Sequence, residues 1–80
     1  MADPNPTAAK LTDLLVTVIT GVEGGTEDYW RGIIGTVHQL PIIDTVRSNW
    51  CVIPGGKPRE RKVIAHAAEV IRQAHPYIHR

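Results

Sequence analysis

Leu11-Thr12-Asp13-Leu14-Leu15-Val16-Thr17-Val18-Ile19-Thr20-Gly21-Val22 carries the clearest periodicity in this chain. Leu11, Leu14, Leu15, Val18, Ile19 and Val22 recur at i, i+3, i+4, i+7, i+8 and i+11. That spacing lays them along one face of an α-helix. The run Val16-Thr17-Val18-Ile19-Thr20 also suits a strand, but the leucine spacing decides for a helix over residues 7–22. Thr7 is its expected N-cap, and Gly24-Gly25 ends it. Upstream, residues 1–6 hold Pro4 and Pro6 with Asp3 and Asn5, and read as an extended, mobile lead-in. Residues 7–80 read as one helical domain.

Downstream, Thr26 caps a second helix, with Glu27 and Asp28 in its first turn, where negative charge suits the helix dipole. Trp30, Ile33, Ile34, Val37 and Leu40 form its expected stripe. Gly32 and Gly35 weaken such a helix by roughly 1 kcal/mol each relative to alanine, or admit a close neighbour. Pro41 opens a segment of one or two helical turns, carrying Ile43 and Val46. Trp50-Cys51-Val52-Ile53 is extended or a turn, and Pro54-Gly55-Gly56 is a loop. Pro58 suits the first position of a third helix. Its stripe is Val63, Ile64, Ala67, Val70, Ile71 and Ala74, and Pro76 stops it. The expected fold is all-α: a small bundle of three main amphipathic helices plus a short helical segment.

Eighty residues make one domain. A chain this short buries only about 60–65% of the surface its unfolded form exposes, so its core is small. Phe is absent, and aliphatic side chains carry most of the apolar content. The net charge of +1 hides an asymmetry. Residues 1–40 set Lys10 and Arg31 against Asp3, Asp13, Glu23, Glu27 and Asp28. Residues 41–80 set seven Lys and Arg against Asp44, Glu60 and Glu69. Either the halves balance each other within the fold or between subunits, or the basic half meets an acidic partner. No apolar run reaches the ~18–20 residues that cross a membrane, and no signal peptide is visible. The opening Met-Ala-Asp-Pro-Asn-Pro fits a cytosolic start, or a mature secreted chain whose leader has been replaced by Met.

The chemistry-bearing residues form no catalytic pattern. Cys51 is the only cysteine, so no intramolecular disulfide or cysteine cage forms. It is a small buried hydrophobe, a free thiol or an intermolecular bridge. No glycine-framed nucleophile turn surrounds it, which argues against a hydrolase. His75 and His79 are four apart, but Pro76 between them breaks a regular ligand pair. His38 and His66 stand alone in sequence, so no metal or cofactor is expected. Gly55-Gly56-Lys57 lacks the phosphate-loop pattern. The sharper signal is Lys57-Pro58-Arg59-Glu60-Arg61-Lys62, whose cations oppose the dipole of the helix they open. A solvated face, an acidic protein or nucleic-acid phosphate would each answer them, although the chain as a whole is barely basic. Trp30 and Trp50 are the largest apolar groups, suited to the core or, for one of them, to anchoring an interface.

Three elements together resemble the Rap/Tai-type immunity proteins, which protect bacteria against amidase effectors delivered by type VI secretion. Tyr29-Trp30-Arg31-Gly32 is similar to that family's central helix motif. Trp50-Cys51, Pro54 and Gly55-Gly56 resemble its aromatic-Cys-x-Pro and glycine turn. His75-Pro76 and His79 resemble its closing helix. The resemblance covers about residues 7–79. It departs by one extra residue between Cys51 and Pro54, by the missing partner cysteines and by ending before the family's last helix, so the resemblance is at most to a shortened, divergent form of that family.

The resemblance implies a periplasmic inhibitor that occludes the active cleft of a secreted cell-wall amidase; without it, a cytoplasmic location is expected. The resulting expectation is a non-enzymatic, protein-binding helical module, dimeric through its apolar stripe. Trp50, Lys57, Arg59 and Arg61 are its contact residues. The alternatives are a small nucleic-acid-binding regulator using residues 57–62, and a periplasmic chaperone-like stress protein.

Overall fold

The computed structural model describes residues 5–40 and 48–79. The segment expected to add one or two helical turns, with Ile43 and Val46, lies almost wholly outside the described residues. Among the described residues, three helices and two short strands follow in the order α1 (Ala8–Glu23), α2 (Glu27–Ile34), β1 (His38–Gln39), β2 (Trp50–Cys51) and α3 (Pro58–Ala74). The protein is therefore mainly helical, with a small two-stranded antiparallel sheet that the all-α expectation did not contain.

α1 begins where Thr7 turns its hydroxyl onto the Lys10 N–H at 3.1 Å. It packs against both α2 and α3, and this double duty changes which side chains it buries. Leu11, Leu15 and Ile19 enter the core as expected, but so does Val16, which lay off the stripe, whereas Val18 and Val22 remain exposed. At 3.6 residues per turn, the buried arc is rotated by roughly 60° from the centre of the stripe. α3 shows the same offset. Ile64, Ala67 and Ile71 are buried together with Ala68, which lay off the expected stripe, while Val70 and Ala74 face outward.

α2 is shorter than its apolar pattern implied. Gly35 takes φ +71°, a left-handed conformation that closes the helix after Ile34. The chain runs on to β1 at His38, and Val37, between helix and strand, is buried in the core. Gly32 faces open space and admits no close neighbour. At the other end Gly24 and Gly25 both have positive φ. This tight turn brings the Trp30 indole back to donate to the Gly24 carbonyl at 2.8 Å.

β2 is the hub of the remaining fold. Trp50 pairs with Gln39 and Cys51 with His38, and Leu40 N–H donates to the Asn49 carbonyl. On its other side β2 meets the chain after α3. Asn49 N–H donates to the Pro76 carbonyl, and the Asn49 side chain both accepts from Ile78 N–H at 2.7 Å and donates to Ile78 O at 3.1 Å. His79 N–H then reaches the Pro6 carbonyl at 2.7 Å. This bond ties Pro6, the last residue of the expected lead-in, to the end of the chain; residues 1–4 lie outside the described residues.

One buried hydroxyl lacks a partner among the described residues. Thr20 Oγ1, near the end of α1, makes no hydrogen bond. Thr20→Val keeps the shape and removes the desolvated hydroxyl, so it is expected to raise stability by about 1 kcal/mol. Urea unfolding followed by circular dichroism measures this, and an unchanged or lowered midpoint would show that the hydroxyl is satisfied in solution.

Candidate functional site

The rotated stripes of α1 and α3 leave apolar edges over, and those edges face each other. Val18 and Val22 from α1, with Val63 and Val70 from α3, line an open groove of about 500 Å³, floored by Ile19 and Ala67. Val22 is 77% exposed and Val70 48% exposed. Polar side chains sit only at the rim: Glu23 from α1, Lys62 and His66 from α3. Glu23 at this rim is paired with Arg59, whose guanidinium meets it at 2.7 Å. A second, shallower depression of about 380 Å³ lies near the start of α1, crossed by an Arg31–Asp13 ion pair at 2.9 Å.

The basic run at the start of α3 is partly answered within the fold. Arg59 holds Glu23, joining the basic half of the chain to the acidic half. Arg61 donates to the Gly56 carbonyl at 2.9 Å. Glu60 accepts from the Lys57 N–H at 2.8 Å, satisfying a donor at the helix start; the Lys57 ammonium has no lone pair with which to cap in return. Lys57 and Lys62 make no ion pair with a described residue. Of the expected contact residues, Lys57, Arg59 and Arg61 are exposed.

Trp50 is a correction. It is fully buried, at 0% exposure, and presents no surface to a partner. Its Nε1–H donates to the His75 carbonyl at 2.9 Å, and the Arg72 guanidinium stacks 4.5 Å from its ring centroid. Arg72 is held there by Ser48 Oγ and the Glu69 carboxylate.

The residues that carry the family resemblance are dispersed through the fold rather than gathered on one face. Trp30 is core and Gly32 faces solvent. Cys51 is a half-buried free thiol. Pro54 is half-buried, and Gly55 donates its N–H to the Ile33 carbonyl, docking the loop onto the end of α2. A side chain at Gly55 would press on that same carbonyl at 3.3 Å. His75, Pro76 and His79 lend backbone groups to the clasp around β2. Among the described residues, no three His, Cys, Asp or Glu side chains gather as metal ligands, and no helix is long and apolar enough to cross a membrane.

Tyr29 stands half-exposed, edge-on to Trp30, and its hydroxyl donates to Glu60 Oε2. That bond, helped by the Lys57 N–H, holds the Glu60 carboxyl below its ordinary range, while the same bond and the carboxylate's charge push the Tyr29 phenol up. A lowered carboxyl contributes stability that is complete above its unfolded value of about 4.3 and is lost as pH falls through the lowered one. The raised phenol contributes below about pH 10 and loses its contribution in stronger alkali. Tyr29→Phe is expected to be less stable than the parent at neutral pH, with the difference closing in acid as pH falls through the lowered range in which Glu60 protonates. Urea midpoints measured at neutral pH and in acid check this; a difference that persists in acid would place the effect in packing rather than in the bond.

The sequence held the components of the groove, because every apolar residue in it was in an expected stripe. It did not reveal that those edges go uncovered, since that depends on how far each helix rotates in the assembled fold. Comparison of the chain with family models, with curated proteins and with solved structures finds no match.

Proposed function

We propose that this protein is a small helical protein-binding module whose docking face is the α1–α3 groove. One observation carries the reading: two helices each leave an apolar edge unburied, and both edges line the same groove. In a domain this small, exposed valines spent on one continuous surface are apolar area withheld from the core. The rim is polar and the centre apolar, which is the anatomy of a protein interface. None of the described residues lining it carries a hydroxyl or thiol nucleophile, so binding is the activity the groove supports. The specific form implied by the resemblance to Rap/Tai-type immunity proteins is occlusion of a secreted amidase in the periplasm. A homodimer across the same face is the other form.

Paired substitutions separate the groove from the basic run. Val22→Asp with Val70→Asp places charge in the groove at two exposed sites that the core does not use. Arg59→Glu with Arg61→Glu reverses the neighbouring charges. Each protein is immobilised and exposed to nuclease-treated bacterial extract, with folding checked by circular dichroism. The groove pair is expected to lose the proteins that the parent retains stoichiometrically. Retention unchanged in the groove pair would remove this face as the docking site.

A further inference from the structure

We draw no further inference here: the strongest candidate, the open apolar groove that Val18, Val22, Val63 and Val70 line between α1 and α3, carries no proposal about its occupant because nothing in the structure shows what covers it.

Discussion

Trp50→Ala is expected to unfold most of the molecule at physiological temperature. Removing a fully buried tryptophan costs about 3–5 kcal/mol in transfer and cavity terms, and Trp50 is at 0% exposure. Two further losses add to this. The His75 carbonyl, at the C-terminal end of α3, loses its indole donor. The Arg72 guanidinium loses the ring it stacks on and keeps only Ser48 and Glu69. A small domain has about 5–15 kcal/mol in total, and one of this size sits toward the low end. At about 4–8 °C per kcal/mol, the melting temperature should fall by on the order of 15–30 °C, if a cooperative transition survives at all. Trp50→Phe isolates the hydrogen bond. It keeps an aromatic ring under Arg72 and loses the Nε1–H donor, so a smaller loss of about 1–2 kcal/mol is expected. Thermal unfolding by circular dichroism checks both variants. An unchanged melting temperature in Trp50→Ala, with altered partner binding, would return Trp50 to the surface role that its size alone suggested.

Trp50 also shows where the sequence stops being legible. Its burial is compatible with its size, but nothing local says which strand it occupies or that residues 75–79 close over it. The helices were readable because their information is local: Thr7 and Thr26 cap where expected, Pro58 opens α3, and the leucine spacing in α1 excluded a strand. The end of α2 was misplaced because Val37 and Leu40 continue its apolar period, while Gly35 breaks its backbone. A glycine permits a left-handed turn without requiring one, and it is the pairing of His38 and Gln39 with β2 that fixes the turn here. The groove falls between these cases. Its valines lie in stripes that the sequence displays, but a stripe wider than one helix contact can bury leaves an edge. Which edge is left depends on the packing of all three helices. The basic run was legible as a run, yet its partners Glu23 and the Gly56 carbonyl appear only once α1 and the loop before α3 are brought beside it.

Asn49→Ala is expected to release the end of the chain from β2. The Asn49 amide holds Ile78 at both of its backbone groups, and both residues are buried. Alanine leaves a buried N–H and a buried C=O without partners, at about 1–3 kcal/mol each. Part of that cost is avoidable, because the tail can swing out and hydrate its own backbone. The escape has its own consequence: Ile78 leaves the core, the Pro76 contact to Asn49 N–H opens, and the His79 bond to Pro6 is lost with it. The net expectation is a loss of about 2–4 kcal/mol that appears first as local opening of residues 75–79. Amide hydrogen exchange resolves this, with the Ile78 and His79 amides losing protection before those of Leu15 and Ile19 in α1. Asn49→Asp sharpens the test. It keeps an acceptor for Ile78 N–H but sets a carboxylate oxygen against Ile78 O in a buried site, so it should rescue nothing at neutral pH and recover stability as the carboxyl protonates in acid. An Ile78 amide as protected in Asn49→Ala as in the parent would show that apolar packing, rather than the amide clasp, closes the fold over Trp50.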